Sequence, residues 1–307
     1  MSASVKPHTD SVDWPARAGV VETLQPTAAP AVAAADVGAP IIIVGTGPIG
    51  IRTARELLER TDGRAVLLFG DEPWVPYNRV VLSCYLAGET DDIGLEVPDD
   101  PRLTPYYGLR ITAIDRAACT VTDSTGGVHA WHRLILATGS RPRVPSIPWV
   151  DLAGVYTFRD LADADRLKAR TARSRAVTVL GGGILGLETA RALRRADTRV
   201  RVLDHNDHLM FNQLDGEAGQ RLEAFVASLG IEVLTDDAVQ QIIGVSRVSG
   251  VLLRSGALLD CDTVVIAAGI VPNVNLARDA ASIAYSSRKA SQRGRRERRW
   301  LEKARKA

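Results

Sequence analysis

Two short glycine clusters have the residue types and spacing to do chemistry: Gly45-Thr46-Gly47-Pro48-Ile49-Gly50 and Gly181-Gly182-Gly183-Ile184-Leu185-Gly186. Each carries glycine at its first, third and sixth positions. The first glycine permits a tight turn, the next lets backbone approach a diphosphate, and the last lets a helix pack closely on a strand. Where such a turn opens a helix, free N–H groups and the positive end of the helix dipole face the phosphates. An acidic residue at the end of the next strand can then accept hydrogen bonds from ribose hydroxyls. After the first cluster this is Asp71 or Glu72, and after the second it is Asp204. His205 and Asn206 follow Asp204, with no arginine beside it to hold a 2′-phosphate, which favours NADH over NADPH. The competing view makes both clusters ordinary tight turns. It has to explain two of them in the same frame.

That frame comes from the flanking elements. "IIIV" before the first cluster and "AVTVL" before the second are continuous apolar runs, as expected of buried parallel strands. Ile51, Ala54, Leu57 and Leu58 then repeat at helical spacing, and "AVLLF" reads as a second buried strand. The order strand, glycine turn, helix, strand recurs after residue 176. Each half continues through short alternating strands and closes on "ILATG" or "IAAG". This internal repeat predicts an α/β fold of two Rossmann-like dinucleotide-binding domains, the second inserted in the first. The expected boundaries are a flexible leader at 1–38, a first domain from 39–150 plus 269–285, a second at 151–268, and a basic tail at 286–307.

The composition, 46% hydrophobic and 24% charged, is that of a globular protein. The formal charge of +2 hides an uneven distribution. Residues 286–307 hold ten Lys or Arg against Glu297 and Glu302. Without them, 28 basic residues face 34 acidic ones, a net charge of −6. Cys84, Cys119 and Cys261 lie far apart and offer neither a local redox disulfide nor zinc spacing, so reduced thiols are expected. The N-terminus has no apolar secretory core, and no apolar run reaches membrane-spanning length. A cytoplasmic location follows, with no membrane partner. The five histidines form no pattern and are expected at the surface.

Five motifs in order make the sequence similar to the FAD- and NAD(P)-dependent pyridine nucleotide-disulfide oxidoreductase superfamily. They are the first glycine cluster, "FGDEPWVPYNRVVLSCYLAGE", "LATGSRPRVP", "VLGGGILGLETARALR" and "IAAGIVPNVNLARDA". The likeness runs from about residue 40 to 285. It is closest to the flavin part of the NAD(P)H-dependent nitrite reductase large subunit and to the rubredoxin and ferredoxin reductases. The resemblance implies FAD and NADH as cofactors. It also implies passage of electrons through flavin to an iron or haem-type acceptor in a redox protein or domain. By the same resemblance Gly45, Thr46, Gly47, Pro48 and Gly50 hold the FAD diphosphate. Asp71 and Glu72 lie at its ribose. Arg79, Ser83, Thr138, Gly139 and Arg141 contact FAD. Gly181, Gly183, Ile184, Gly186 and Asp204 bind NADH. Glu188 stands where nicotinamide and flavin meet, as the candidate catalytic residue. Gly269 and Pro272 mark the return to the first domain. Cys84 occupies a position that is lysine in many ferredoxin-reductase relatives. No metal site is implied.

The likeness stops at Tyr285, short of the strand and acidic flavin-binding segment that follow in relatives. Three accounts of the tail compete. It could be a basic interaction arm, which would neutralise phosphates if it met nucleic acid, or a solvated helix. It could also be an out-of-frame reading of the missing segment, which is the account favoured here. On that account nucleic acid is not a partner and the chain is a truncated reductase. The alternative is an inactive NADH-binding remnant whose tail is an interaction arm.

Overall fold

The computed structural model describes residues 38–60 and 63–280. The leader and the basic tail lie outside the described residues. The first half runs β1 (Ile41–Val44), α1 (Pro48–Arg60) and β2 (Val66–Phe69). A short 3-10 turn at Arg79–Val81 leads into α2 (Leu82–Ala87), then β3 (Leu103–Tyr106). A meander of β4 (Ile111–Asp115), β5 (Thr120–Asp123) and β6 (Val128–Ala130) precedes β7 (Arg133–Leu136). The chain then crosses through β8 (Ser140–Pro142) to β9 (Val155–Thr157), α3 (Leu161–Thr171), β10 (Ala176–Leu180), α4 (Ile184–Leu193), β11 (Arg199–Leu203), α5 (Gly216–Ser228) and β12 (Ile231–Leu234). A second meander, β13 (Val239–Gly244), β14 (Val248–Leu253) and β15 (Leu258–Asp260), is followed by β16 (Thr263–Ile266), β17 (Ile270–Pro272) and α6 (Asn275–Asp279).

The repeat read in the sequence is a repeat in space. One parallel sheet has the order β3-β2-β1-β7 and the other β12-β11-β10-β16-β9. Strands β1 and β10 are central and wholly buried apart from the edge of Ala176, as their unbroken apolar runs require. The halves differ at one edge. In the second, β16 is buried and paired on its outer side by β9. In the first, β7 is the edge among the described residues, and its Leu134, Ile135 and Leu136 are half-exposed.

The halves interlock beyond what the repeat implies. Residues 74–93 belong in sequence to the first half. Yet Tyr77, Leu82, Leu86 and Ile93 share one core with Phe158, Leu161, Leu167 and Val179 of the second. Helix α2 lies against α3 and α4, and polar pairs reinforce the seam: Tyr85 to Asp165 and Arg191 to Glu89. The antiparallel ribbon β8–β17 closes the crossing. There Thr138 donates to the Asn273 carbonyl at 2.7 Å, and the Asn273 amide donates back to the Thr138 carbonyl at 2.8 Å.

The expectation of surface histidines is corrected at two positions. His129 is buried against the stacked rings of Phe69 and Tyr106, its Nε2 2.7 Å from Asp123 Oδ2. His208 is buried against α5, held by Asp207 and the Leu214 carbonyl. Both lie where a turn returns onto the core and needs its polar groups satisfied. Burial of Asp123 opposes its charge. Hydrogen bonds from His129, Thr125 and Gly127 outweigh this and hold its carboxyl at about 2. A carboxyl depressed below its unfolded value of about 3.9 stabilises the fold above that pH. The contribution fades as pH falls through about 2. Comparing acid unfolding of the wild type with Asp123→Asn checks this. The stability difference should be constant above about pH 5 and shrink between about pH 4 and 2.

Candidate functional site

Both glycine cradles are built to the same plan. Gly45 and Gly181 have φ of +119° and +120°, and their N–H groups bond the ends of β2 and β11 at 2.7 and 2.8 Å. A Cβ on Gly45 would collide with the Ala137 carbonyl, and one on Gly181 would lie 2.5 Å from the Ala267 carbonyl oxygen. A Cβ on Gly50 or Gly186 would run into the carbonyl of Gly45 or Gly181. The middle glycines are the opposite case: nothing lies within 4 Å of a Cβ placed on Gly47 or Gly183. So the outer glycines close the turn against the protein, and the middle ones leave the backbone open to an incoming group. That is the fit a dinucleotide diphosphate requires. Gly183 caps α4 with no side-chain hydrogen bond, and Pro48 at the first position of α1 brings no N–H of its own. Ile49 and Ile184 stand exposed beside the two cradles.

The adjacent carboxylates Asp71 and Glu72 part company. Glu72 lines a small cavity with Thr46, Gly47, Trp74, Tyr77 and Arg79. It accepts from Tyr77 Oη at 2.5 Å and forms an ion pair with Arg79. Asp71 lies outside that cavity and pairs with Arg110 at the surface, 2.8 Å away. Tyr77 Oη in turn accepts from Leu161 N at 3.0 Å, and burial pushes its phenol up from its ordinary value. In the second cradle Asp204 is buried. Its Oδ2 takes the Gly182 N–H at 2.5 Å, and its Oδ1 takes the Asn206 backbone and side-chain N–H groups. A carboxylate has about four acceptor positions, so room remains for a ribose hydroxyl. His205 is the neighbouring exposed side chain, 3.5 Å from Asp204.

The two halves meet across the seam. Ser83 on α2 donates to Glu188 on α4 at 3.0 Å, joining residues 105 positions apart. Cys84 follows Ser83, half-buried and free. Thr138 and Gly139 lie in the crossing, and Arg141 is exposed on β8 opposite Val271. Gly269 accepts from Arg143 N at 2.9 Å, and Pro272 pairs with Ser140. Sequence reasoning passed over Trp74, Tyr77, Arg159 and Asn273. Only the folded chain brings them to the seam.

The sequence matches the pyridine nucleotide-disulphide oxidoreductase family over residues 39–293. The chain belongs to that family. Its members are NAD(P)H-dependent flavin oxidoreductases that use FAD and NAD(P)H. The chain is 35% identical over 246 residues to the NAD(P)H nitrite reductase of Bacillus subtilis, covering 78% of this chain and 31% of that one. It is 32% identical to rhodocoxin reductase of Rhodococcus erythropolis, covering 77% of this chain and 57% of the relative. It therefore spans between about a third and three-fifths of these relatives' lengths. Among solved structures it is similar to the ferredoxin reductase of the CYP199A2 system from Rhodopseudomonas palustris. That match has a TM-score of 0.76 and 28% identity, covering 80% of this chain and 62% of that one. The two-domain α/β fold expected from the repeat is the fold of these family members.

Proposed function

We propose that this chain is the NADH-oxidising part of a flavin-dependent electron-transfer protein. It would deliver electrons to an iron or haem-type acceptor of the nitrite reductase, rubredoxin or ferredoxin type. The observation that carries this reading is the pair of open cradles, with Gly47 and Gly183 bare of neighbours, whose halves touch at Ser83 and Glu188. FAD, when bound, accepts hydride from NADH and releases electrons singly. The residues bind and position. Gly45, Thr46, Gly47, Pro48 and Gly50 would hold the flavin dinucleotide at α1, with Glu72 at its ribose. Arg79, Ser83, Thr138, Gly139 and Arg141 would border its flavin side. Gly181, Gly183, Ile184 and Gly186 would hold NADH at α4, with Asp204 at its ribose. Glu188, fixed by Ser83, would stand beside the nicotinamide. NADH is preferred to NADPH because His205 and Asn206, not arginine, flank Asp204.

The acceptor would be a separate redox protein or domain, in keeping with the relatives named for nitrite reduction and for ferredoxin. No helix among the described residues is long and apolar enough to cross a membrane, and the three cysteines are free. Both suit the proposed cytoplasmic setting. One observation favours a second reading, an NADH-binding protein without flavin: strand β7 has no partner beyond it among the described residues. A visible spectrum separates the two. Full-length protein incubated with FAD and freed of excess is expected to keep a flavin band that bleaches anaerobically with NADH. A chain that retains no flavin overturns the first reading and leaves the second.

A further inference from the structure

The loop that follows Asp204 folds onto the second cradle. Met210 N donates to the Gly182 carbonyl at 3.0 Å, and Leu209 lies against Gly182, where an added Cβ would come within 2.5 Å of its Cδ2. Gly182 is thus held on both sides, because its own N–H goes to Asp204. The peptide joining Gly182 to Gly183 is planar and trans, so fixing the Gly182 carbonyl on the loop turns the Gly183 N–H the opposite way, out of the loop. Gly183 is the open glycine of this cradle.

That loop depends on its anchors. Met210 has φ of +57°, a left-handed conformation that persists only where the surroundings impose it. His208, two positions earlier, is buried against α5, where a Cβ on Gly219 would be 2.4 Å from its Cδ2. Its Nδ1 lies 2.5 Å from Asp207 Oδ1, and its Nε2 lies 3.3 Å from the Leu214 carbonyl oxygen. A carbonyl only accepts, and so does an ionised carboxylate. A neutral imidazole has one N–H and serves one of the two, whereas the imidazolium serves both. The charges around the ring agree. Asp207 faces it from its own loop and Glu223 from α5, where Glu223 also accepts from Leu209 N at 3.2 Å. Nearer the start of α5, Asp215 is taken up in capping and Glu217 is paired with Arg221. The Phe211 ring stands 5.1 Å away. Burial presses the His208 pKa down. The bonds to Leu214 and Asp207 and the charges of Asp207 and Glu223 outweigh this and raise it above its ordinary value.

We infer that His208, in its doubly protonated form, is a positioning residue for NADH: by tying Asp207 to the Leu214 carbonyl it holds Met210 on Gly182 and so aims the backbone of the second cradle. The inference rests on the NADH reading of that cradle. A histidine whose folded pKa is raised gives its full contribution below its unfolded value of about 6.5 and loses it as pH rises through the higher folded value. Deprotonation leaves one ring N–H for two acceptors. The loop then loosens, and NADH affinity falls.

The test titrates NADH into the full chain as wild type, H208Q, D207N and H205Q, followed by nucleotide fluorescence from about pH 6 to about pH 9. Wild-type affinity is expected to fall about three- to tenfold across this range, the net worth of one hydrogen bond. H208Q should bind at every pH as weakly as the wild type does at the alkaline end, with no step. D207N alters an exposed side chain and removes the charge beside the ring, so it should move the step to lower pH. H205Q, which changes the exposed histidine beside Asp204, should leave the position of the step unchanged. Wild-type affinity constant within about twofold across the range overturns this inference and leaves the NADH reading standing. So does a step that persists in H208Q, or one that H205Q removes. If H208Q does not fold, D207N decides: a step moved to lower pH supports the role of His208, and an unmoved step overturns it. A wild type that binds no NADH at any pH removes the NADH reading and this inference together.

Discussion

Gly186→Ala is expected to lower the melting temperature by on the order of 10 °C, while Gly183→Ala leaves it nearly unchanged and abolishes tight NADH binding. The two glycines are three residues apart in one turn, and their surroundings are opposite. A Cβ on Gly186 would meet the carbonyl of Gly181, which is itself fixed by its bond to the end of β11. Backbone cannot rotate away as a side chain would, so α4 must lift from β10. Overpacking of this kind costs about 3 kcal/mol, and a domain of this size loses roughly 2–4 °C per kcal/mol. Gly183 has φ −81° and ψ 177°, an extended backbone that alanine adopts without strain. Nothing in the protein lies within 4 Å of its added methyl. That methyl would occupy the space kept for the diphosphate, and a tenfold or greater loss of NADH affinity is expected, about 1.4 kcal/mol or more. Thermal melts and NADH titrations of the two variants read this directly. Equal melting temperatures would show that the turn is not packed as described. Full NADH affinity in Gly183→Ala would show that the nucleotide does not approach there. The first cradle offers the same pair in Gly50 and Gly47.

Glu72→Ala should destabilise the protein by about 2 kcal/mol and weaken FAD binding about tenfold, whereas Asp71→Ala should do neither. The Glu72 carboxylate receives Tyr77 Oη and the Arg79 guanidinium, and both partners are at least half-buried at the seam. Its loss leaves a buried phenol without its acceptor and removes the counter-charge from Arg79 beside Arg159. A charged hydrogen bond of this kind is worth about 1.5–3 kcal/mol when buried; the partly exposed Arg79 regains water when its partner is lost, which keeps the total at about 2 kcal/mol. The Asp71–Arg110 pair is exposed, with side-chain accessibilities of 59% and 64%. Such pairs contribute about 0–1 kcal/mol. Urea unfolding with FAD titration compares them. Loss of FAD affinity in Asp71→Ala with affinity kept in Glu72→Ala would place the ribose carboxylate at Asp71.

Much of the fold was legible because its signals are local. A buried central strand must be apolar along its whole length, so "IIIV" and "AVTVL" could be read without knowing their neighbours. A glycine turn needs its glycines at fixed spacing, and the repetition of strand, turn, helix and strand fixed both the number of domains and the nested order. The cradle residues were legible for the same reason. Their fixed spacing shows in the turn itself, although the backbone that closes each turn comes from farther along the chain, at Phe69 and Ala137 for the first and Leu203 and Ala267 for the second.

What the sequence could not decide depends on which way a side chain leaves the backbone and on what meets it from far along the chain. Asp71 and Glu72 are equivalent in sequence. The turn after β2 sends one to Arg110 and the other to Tyr77 and Arg79. His129 looks like a polar residue in a surface hairpin until the hairpin folds onto Phe69 and Asp123 turns inward to satisfy it. Residues 74–93 carry no mark of leaving their own domain, yet they bury their apolar side in the core of the other. Thus the sequence alone determined two dinucleotide cradles and their order. The tertiary structure decided how they face each other and which of the two adjacent carboxylates lines the cavity beside the first cradle. A seam between domains is made of contacts 80 to 105 residues apart, and no local pattern encodes them.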